Sequence, residues 1–398
     1  MYDVAIIGAG PSGSTTARYL AKLGYDVCLI DKSRFPRDKP CGGGFSPRLV
    51  DEFPHLKRRQ GDFLKGVCQV GVLHSSNRKT VLRGRADMAV ALRKDFDNIL
   101  LESALEYGVE PKLGNRAKSV QIDAESAKVE LAHGNAVVAH AIVGADGATS
   151  MVARTTGLNV RWPSDSITAC RVVEMPTKTE DIIDRYSEEL EYHFFANLGG
   201  LPGYGWIFPK LDTINVGLGI VGKYAKGLPR YFESFIKMLR RDGYIRKSVD
   251  LSASKGALLP TGGTIAKSYS QRCLLIGDSA GMVNPITGGG IAHAMVAGKI
   301  AAAVLARNLE NDALEDSDLS RYQTLWMTEF GKEIKSQLIV QKVFTGVFAD
   351  TLFEIGARDS VLQNTVSAIM SEASGDRSDA YRLFGRFLYV CLREAFTP

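Results

Sequence analysis

Short apolar runs with the composition of β-strands recur along the chain, and they alternate with segments of helical periodicity. Residues 3–7 are mostly apolar and lead into a glycine-rich turn, after which residues 14–23 have the apolar spacing of a helix. Residues 26–30 predict a second strand. This order predicts a βαβ unit at the amino terminus.

The next regular elements follow a loop at 32–48 that is rich in glycine, proline and charged residues. Residues 92–107 carry apolar side chains at helical spacing and predict a helix with Arg93 at its start. Residues 118–143 alternate apolar and polar positions around a Gly-Asn turn, which predicts a β-hairpin or a short meander. Residues 141–147 then predict a buried strand.

The pattern changes between residues 160 and 225, where aromatic residues become frequent and strand-like alternation dominates. Predicted strands there are 191–195, 205–208 and 213–220. This region predicts a second domain built on a sheet. A helix at 229–241 follows, and a buried strand at 272–278 then returns the chain to the first domain. From residue 291 to the end, helical periodicity prevails.

The first turn has the spacing G-x-G-x-x-G, formed by Gly8, Gly10 and Gly13. In a dinucleotide site the first glycine allows the tight turn, the second lets the backbone approach a pyrophosphate, and the third lets helix and strand pack closely. Asp31, at the end of the second strand, can accept hydrogen bonds from a ribose. The spacing also occurs in ordinary glycine turns, but strand, helix and terminal acid together favour a dinucleotide site.

Composition and charge exclude some classes of protein. A chain of 398 residues is long enough for two or three packed units, and 45% hydrophobic with 23% charged residues is typical of a globular protein. The net charge of +5 is small and its residues are scattered, so there is no nucleic-acid signature. A mild positive balance favours approach to an anionic lipid surface, and it equally fits a merely soluble basic protein.

The six cysteines are widely spaced and form no C-x-x-C pair, and we expect no signal peptide before the first strand. Reduced thiols in a cytosolic setting follow from this pattern. The six histidines are isolated from one another, so we expect no metal site. The longest apolar region, 288–305, is interrupted by His293 and Lys299, so we expect no transmembrane helix.

Three ordered motifs resemble one superfamily over residues 1 to about 310. They are the amino-terminal turn, the segment 144–150 with Arg154, and the segment 277–281 followed by 285–290. Together they resemble the FAD-containing reductases and hydroxylases built like para-hydroxybenzoate hydroxylase. The resemblance implies a Rossmann-type FAD-binding domain, an inserted antiparallel β-sheet substrate domain and a helical carboxy-terminal region, in a chain of α/β class.

The same resemblance implies roles for individual residues. It places Asp278 at the ribityl hydroxyls of FAD, and the amides of Gly289, Gly290 and Ile291 at the phosphate and the flavin edge. Arg93 would lie on the phosphate side and Ala117 beside the adenine. Two alternatives stay open: Arg93 as a surface salt bridge, and the Asp146-Gly147 pair as a turn that needs positive φ.

Two further segments narrow the resemblance to the geranylgeranyl reductase family. Residues 40–44 and 204–209 look like the C-G-x-G loop and the Y-x-W-x-F-P motif of that family. Its members saturate isoprenoid double bonds on archaeal membrane lipids, chlorophyll precursors or polyprenyl quinones. The resemblance implies that Cys41, Gly42 and Gly44 touch the cofactor, whereas a flexible linker is the alternative for this loop. The chain departs from the family pattern in two places. Pro202 lies one residue closer to Tyr204 than the proline usually does, and the loop is C-G-G-G where many archaeal lipid reductases have C-G-E-G.

Reduction of an isolated alkene needs a hydride from flavin N5 and a proton for the neighbouring carbon. Tyr204, Trp206 and Phe208 share one strand face by their period-2 spacing, so they predict an aromatic substrate pocket that stabilises positive charge. They fit equally a set of core aromatics. Cys41, Tyr204 and a bound water are the candidate proton donors, and Cys41 also fits a role as shield of N5 or as a plain buried thiol.

The donor of electrons and the contact with membranes are predicted from what remains. No second G-x-G-x-x-G occurs, so we expect a transient donor, either NADPH or a protein such as ferredoxin. Aromatic and leucine side chains at helical spacing near the carboxyl end predict either packed core or a cover over an apolar tunnel that touches the bilayer. These are Phe344, Phe348, Leu352, Phe353, Phe384, Phe387, Leu388 and Tyr389. We expect a cytoplasmic protein, peripheral at the membrane if that contact exists.

The sequence therefore predicts three parts and one leading function. Residues 1–160 and 256–310 are assigned to the FAD-binding domain, 161–255 to the substrate domain and 311–398 to the helical region. The leading function is reduction of geranylgeranyl or polyprenyl chains, of the archaeal digeranylgeranylglycerophospholipid type or on a quinone such as menaquinone. An FAD monooxygenase or halogenase, and a non-catalytic flavoprotein electron carrier, are the competing hypotheses.

Overall fold

The computed structural model describes most of the chain. The described residues are 1–247, 250–346, 349–370, 383, 385–387 and 389–390. Phe348, Phe384, Leu388 and Cys391 lie outside them, as does the side chain of Phe344.

The strands of the described residues are numbered in chain order. They are β1 (Tyr2–Ile7), β2 (Val27–Asp31), β3 (Gly44–Phe45), β4 (Leu64–His74), β5 (Val81–Ala91), β6 (Glu110–Leu113), β7 (Ala117–Ile122), β8 (Ala127–Leu131), β9 (Val137–Gly144), β10 (Thr168–Pro176), β11 (Tyr192–Ala196), β12 (Gly203–Pro209), β13 (Thr213–Val221), β14 (Lys255–Leu259), β15 (Tyr269–Ser270) and β16 (Cys273–Leu275). The predicted strands at 191–195, 205–208 and 213–220 are confirmed as β11, β12 and β13.

The helices are numbered in the same way. They are α1 (Pro11–Lys22), α2 (Arg48–Glu52), α3 (Pro54–Arg58), α4 (Gln60–Phe63), α5 (Arg93–Leu105), α6 (Met151–Thr155), α7 (Thr179–Tyr186), α8 (Leu228–Arg241), α9 (Ile291–Leu309), α10 (Asp316–Trp326), α11 (Lys332–Phe344), α12 (Ala349–Ala357) and α13 (Ser360–Met370). Short 3₁₀ turns precede β12, α8 and α9, and a π-helical turn links α10 to α11.

The first sheet has a parallel core in the order β16-β9-β1-β2-β6. The strands β1 and β2 are buried almost throughout, because helices cover both faces of a parallel sheet. The meander β7-β8-β9 joins this sheet with antiparallel pairing, so the predicted hairpin or meander is confirmed. The strand predicted at 141–147 is not a separate strand. Its first residues, 141–144, are the end of β9.

Helices α1 and α9 lie against each other at backbone distance beside the first sheet. A Cβ on Gly298 would stand 2.7 Å from the Ser12 carbonyl oxygen, so this position in α9 has room only for glycine. Tyr25 closes the same contact, since its hydroxyl donates to the Ala306 carbonyl at 2.7 Å. This packing brings the amino ends of α1 and α9, which belong to distant motifs, to the same edge of the sheet.

The second sheet runs β14-β10-β13-β12-β11-β4-β5-β3. It is antiparallel except for the parallel pair β4 and β11. Residues 64–91, which the sequence assigns to the FAD-binding domain, form β4 and β5 of this sheet. β4 pairs with β11, more than a hundred residues later in the chain, and local patterning does not reveal such a pairing.

The carboxy-terminal helices pack on the second sheet, so the described members of the aromatic stripe divide into two groups. Phe353 and Phe387 are buried in the core of that sheet, and Leu352 packs against it. Tyr389 is 52% exposed. Packed core therefore accounts for three of the four stripe members whose side chains the structure describes. The α/β class, the FAD-binding fold and the helical region are confirmed, and in the described part of the chain no helix has the length and hydropathy of a membrane span.

Candidate active site

The amino-terminal turn has room only for glycine at two positions. Gly8 has φ +107°, and a Cβ there would stand 2.2 Å from the Ala145 carbonyl oxygen. A Cβ on Gly13 would stand 1.8 Å from the Gly8 carbonyl oxygen. The turn is therefore closed by backbone packed on backbone, which fixes the direction in which α1 leaves β1.

Gly10 and Asp31 complete the nucleotide side of the site. A Cβ on Gly10 would meet only the Arg37 guanidinium, at 3.7 Å, so the backbone at the amino end of α1 is open. The Asp31 carboxylate accepts hydrogen bonds from the amides of Ala9 and Ser33, both at 2.8 Å. The Asn115 amide binds the Asp31 carbonyl at 3.0 Å, which brings Ala117, two residues further, to the same end of the sheet.

Arg93 is buried, and this argues against the surface salt bridge. Its guanidinium makes a bidentate pair with Asp97 at 2.7 and 2.9 Å, and the side chain is 7% exposed. Burial opposes its charge, but Asp97 and the thiol of Cys41 beside it more than offset this and raise the pKa of Arg93. Arg37, which sequence reasoning missed, contacts the same Asp97 at 3.0 Å. Two cations share one carboxylate, so a positive charge remains beside the open turn.

The third motif places a carboxylate next to a helix amino terminus. Asp278 lies in the 3₁₀ turn at 277–280, and its carboxylate is 3.6 Å from the Lys39 ammonium. A Cβ on Gly290 would stand 3.3 Å from the Asp278 carboxylate, and Ile291 begins the 19-residue helix α9. A hydroxyl acceptor and free helix amides therefore meet at one point.

Asp146 and Gly147 have a local structural role. The Asp146 carboxylate accepts from the Ser150 hydroxyl at 2.5 Å and the Met151 amide at 2.6 Å, at the start of α6. Burial raises its pKa. Gly147 has φ +80°. The alternative of a turn that needs positive φ describes this pair.

The loop that contains Cys41 is held against the aromatic strand. A Cβ on Gly42 would stand 2.6 Å from the ring of Phe208, and one on Gly44 would stand 2.7 Å from the Met88 sulfur. Gly43 has φ +75°, and its Cβ would stand 2.0 Å from the Ala91 carbonyl oxygen. The loop is an ordered turn, so the alternative of a flexible linker is not what the structure has.

Tyr204, Trp206 and Phe208 lie on one face of β12, as their spacing predicts. The ring centroids are 5.8 Å apart for the first pair and 6.3 Å for the second. The Tyr204 hydroxyl donates to the Thr287 carbonyl, which ties this strand to the third motif. A Cβ on Gly217, opposite Trp206 in β13, would stand 2.0 Å from the indole, so the tryptophan needs a glycine in its pairing partner. The glycines of β13, Gly217 and Gly219, are the sequence signal from which this contact is predictable.

An apolar cavity lies between the second sheet and the carboxy-terminal helices. Its empty space, mouth included, is about 680 Å³. The residues around it are Leu73, His74, Phe194, Ala196, Asn197, Gly203, Tyr204, Ile286, Val340, Gln341, Thr345, Phe353, Val366, Ile369, Met370 and Leu383. Tyr204 and Ile286 belong to it on the side of the third motif, so the aromatic strand contributes to both the cavity and the candidate flavin edge.

Two histidines form a neutral pair beside this cavity. His74 Nε2 and His193 Nδ1 are 3.1 Å apart. Burial, with Arg78 and Arg83 nearby, lowers the pKa of His74 to about 4. Burial, with His74 and Arg83, lowers the pKa of His193 to about 3. Among the described residues, no group of three or more metal-ligating side chains surrounds this pair or any other position.

Cys41 differs from the other described cysteines. Its sulfur accepts from the Gly43 amide at 3.4 Å, and it is only partly buried. Cys28, Cys68, Cys170 and Cys273 are buried, and burial raises the pKa of each to about 12. These four remain protonated at neutral pH, which leaves Cys41 as the accessible thiol among the described residues.

The residues present fit a flavin dinucleotide. The open backbone at Gly10 and the two arginines suit a pyrophosphate, and the acceptors at Asp31 and Asp278 suit sugar hydroxyls. The structure brings these predicted residues to one edge of the first sheet, and it brings Cys41 and the 204–208 strand together at the second. The sequence did not indicate four parts of this site, which are Arg37, Asp97, Asn215 and the histidine pair.

Sequence comparison gives the same result. Residues 1–325 match the model of the FAD binding domain. The digeranylgeranylglycerophospholipid reductase of Methanocaldococcus jannaschii is 30% identical over 361 residues, which is 88% of this chain and 89% of the relative. The menaquinone reductase of Mycobacterium tuberculosis is 29% identical over 394 residues, which is 94% of this chain and 92% of the relative.

Solved structures share the fold. A geranylgeranyl bacteriochlorophyll reductase-like protein from Thermoplasma acidophilum superposes with a TM-score of 0.83 at 23% identity, over 97% of this chain and 99% of that one. A halogenase superposes with a TM-score of 0.70 at 17% identity, over 96% of this chain and 86% of that one. Both likenesses show the fold alone.

Proposed function

Because the chain belongs to the FAD binding domain family and, within it, to the geranylgeranyl reductases, we propose that it saturates carbon–carbon double bonds of a polyprenyl chain. The flavin, when bound, supplies the hydride. The substrate would be a membrane lipid of the digeranylgeranylglycerophospholipid type or an isoprenoid quinone such as menaquinone. The curated relatives reported above carry names of both kinds, and both kinds are reductases.

The apolar cavity is the observation that carries this proposal. A polyprenyl chain is a hydrocarbon, and burial in an apolar cavity is favourable by roughly 25 cal/mol per Å² of surface removed from water. The residues around the cavity are mostly apolar, as a hydrocarbon ligand requires. An aromatic substrate of a halogenase or monooxygenase does not call for such a lining on the carboxy-terminal helices.

The aromatic strand would orient the double bond and stabilise the positive charge that develops when a proton is added. The π faces of Tyr204 and Trp206 would contribute about 0.5 to 2 kcal/mol each. Tyr204 lines the cavity and its hydroxyl reaches the Thr287 carbonyl, so it stands at the junction between cavity and flavin edge. Tyr204 is therefore the proton donor that we propose first, with Cys41 and water as the alternatives.

The electron donor and the membrane contact are further proposals. Among the described residues, the first sheet has one dinucleotide-binding turn, and FAD would occupy it. The electron donor, NADPH or ferredoxin, would therefore bind transiently. A polyprenyl lipid resides in the bilayer, and we propose that the protein approaches the cytoplasmic face of the membrane to receive it. Exposed Tyr389 supports such a contact. Flotation with anionic liposomes tests it, and protein that stays in the dense fractions would count against it.

Turnover with defined substrates tests the proposal. The flavin is reduced anaerobically with dithionite, and the protein is incubated with geranylgeranylated phospholipid or with menaquinone. Mass spectrometry should detect gain of hydrogen pairs on one of them, and the preferred substrate identifies the head group. Flavin that reduces while neither substrate gains hydrogen would leave the oxygenase and electron-carrier hypotheses ahead.

Two valines of α13 provide a matched test of the cavity. Val366 lines the cavity, whereas Val361 on the same helix is 50% exposed. We expect Val366→Trp to lower turnover about fivefold or more, because filling the cavity costs about 1 to 3 kcal/mol of substrate binding or packing. Val361→Trp should leave turnover and FAD content near those of the parent. Equal activity of the two variants would contradict the assignment of the cavity.

A further inference from the structure

We propose that Asn215 is a positioning residue that holds the Cys41 loop, defined as residues 41–43, against the aromatic strand. The inference rests on the proposed function in one respect, that the flavin lies along this loop. It goes beyond the family resemblance, which assigns no role to Asn215, Glu174 or Lys210. The carbonyl groups of the loop are the points at which it is attached.

Each carbonyl of the Cys41 loop accepts a hydrogen bond from the second sheet. Asn215 Nδ2 donates to the Cys41 carbonyl at 3.0 Å, and Lys210 Nζ donates to the Gly42 carbonyl at 3.2 Å. The Ala91 amide donates to the Gly43 carbonyl at 2.9 Å. Two of the three donors are side chains, and neither side chain belongs to a motif of the sequence.

Glu174 fixes both side-chain donors in place. It lies opposite Asn215 in the pairing of β10 with β13, and it accepts from Asn215 Nδ2 at 2.7 Å. It also accepts from Lys210 at 2.9 Å and from the Thr213 hydroxyl at 2.7 Å. The Lys210 side chain is 0% exposed, so its charge is stable in this position only because the carboxylate is there.

The indole of Trp206 determines which way the Asn215 amide faces. An indole N–H can only donate, and Trp206 Nε1 lies 2.8 Å from Asn215 Oδ1. The amino group of Asn215 must therefore face the Cys41 carbonyl and Glu174. One amide thus connects the tryptophan of the aromatic strand to the loop beside the candidate flavin edge.

This connection predicts that Asn215 controls how often the Cys41 loop opens. Without the amide, the Cys41 carbonyl loses one of its anchors and Trp206 loses its acceptor. Loss of a hydrogen bond of this kind should raise the population of the open loop about three- to tenfold. The Cys41 thiol is partly buried in the closed loop and becomes more accessible when the loop opens, so its labelling rate rises with the open population. The other four described cysteines are buried and do not compete.

The test is the rate at which maleimide labels Cys41 in the full chain, followed on the Cys41 peptide by mass spectrometry. We expect Asn215→Ala to raise this rate about three- to tenfold, both with and without FAD. Thr213→Val is the matched control, because Thr213 binds the same Glu174 carboxylate but contacts no loop carbonyl, and it should leave the rate within about twofold of the parent. A parental rate in Asn215→Ala, or an equal rise in Thr213→Val, would overturn the proposal.

A second variant separates positioning from general stability. Asn215→Asp keeps the acceptor for Trp206 but cannot donate to the Cys41 carbonyl, and it sets a carboxylate against Glu174. Thermal unfolding measures the cost of that repulsion, and at a temperature well below the unfolding midpoint Cys41 of this variant should still be labelled as fast as in Asn215→Ala. Labelling of Asn215→Asp at the parental rate would overturn the proposal.

The visible circular dichroism of bound FAD gives a further readout. It should change in the Asn215 variants and stay unchanged in Thr213→Val, since only the former alter the loop. Neither this spectrum nor the labelling rate depends on substrate turnover. Failure of prenyl reduction with fast labelling would therefore contradict the proposed function alone, and turnover with unchanged labelling would contradict the positioning role alone.

Discussion

The turn at Gly8–Gly13 and the turn at Gly42–Gly44 use glycine for different reasons. At Gly13 the missing Cβ would collide with the carbonyl of Gly8, within the same turn. At Gly42 it would collide with the ring of Phe208, a side chain that lies 166 residues away in the sequence, in β12 of the second sheet. Both constrained glycines of the first turn meet backbone atoms, whereas in the second turn Gly42 meets a side chain and Gly43 meets backbone.

This difference decides what each turn tolerates. Backbone atoms cannot move without unfolding the turn, whereas a ring can rotate or shift by a few tenths of an ångström at moderate cost. The first turn therefore supports the fold and the cofactor together. The second turn can change with its neighbours and can adjust the site without loss of the fold. Substitutions in the two turns and around them test whether the first supports the fold and the second adjusts the site.

The largest effect should come from Gly13→Ala. The Cβ would stand 1.8 Å from the Gly8 carbonyl, so we expect a loss of at least about 4 kcal/mol in the free energy of unfolding and purification without FAD. Thermal unfolding and flavin absorbance measure both. Gly61→Ala, in helix α4 with no atom near its Cβ, should behave like the parent. Stable holoprotein from Gly13→Ala would remove the basis of the comparison.

The second effect should be a loss of stability in acid. Burial lowers the pKa of His74 to about 4 and that of His193 to about 3, against 6.5 for an unfolded histidine. As pH falls below 6.5, these histidines bind protons in the unfolded state before they do so in the folded state. The stability associated with the neutral pair is therefore complete above pH 6.5 and is lost towards pH 4. We expect the free energy of unfolding to fall by roughly 2 to 4 kcal/mol between pH 7 and pH 5.

Hydrogen exchange should locate this acid effect. After correction for intrinsic rates, amides of β4 and β11, which carry the histidine pair, should lose protection at pH 5 before those of β1. The double variant His74→Gln/His193→Gln should have a flatter dependence of unfolding free energy on pH. Parallel loss of protection in both sheets would mean that the two sheets unfold as one unit and that the pair does not act locally.

Gly42→Ala should have a smaller effect, on turnover. The Phe208 ring must give way, at a cost of about 1 to 3 kcal/mol, so we expect kcat to fall about tenfold while FAD stays bound. Steady-state turnover and flavin content measure this. Gly256→Ala in β14, whose Cβ would have its nearest neighbour at 3.7 Å, is the matched control in the same sheet. Loss of FAD from Gly42→Ala would mean that both turns serve the cofactor equally.

The smallest effect should follow from Asp31→Asn. An amide keeps one acceptor oxygen, so one of the hydrogen bonds from the Ala9 and Ser33 amides is lost, at about 1 kcal/mol and about fivefold in FAD affinity. Fluorescence titration of the apoprotein with FAD measures the affinity. Asp3→Asn, whose carboxylate binds the Asp26 amide at 2.7 Å, loses a comparable bond and should not change FAD affinity.

The same division explains how much could be predicted from the sequence. The first turn, its helix and Asp31 lie within 31 residues, and their periodicity predicted β1, α1 and β2 correctly. The aromatic face of β12 was also predictable, because a period of two needs only one strand. The family resemblance contributed the order of the motifs, the FAD-binding fold and the helical region, which no periodicity alone identifies.

Long-range pairing accounts for what was not predicted. Nothing near residues 64–91 indicates that β4 would pair with β11 in the second sheet. Asn215 lies at an ordinary polar position of a strand, and its role depends on Trp206, Glu174 and the Cys41 carbonyl meeting around it. His74 and His193 were judged isolated, which is true of the sequence and not of the folded protein.

The order in which these strands pair has a consequence for synthesis on the ribosome. The hairpin β4-β5 is complete by residue 91, but its partner β11 begins only at Tyr192, and β16 of the first sheet, which pairs with β9, begins at Cys273. Long-range pairings of this kind form slowly and leave strand edges exposed in the meantime. The nascent chain must therefore carry two unfinished sheets through most of translation, and cofactor capture has to wait until the amino end of α9 has emerged.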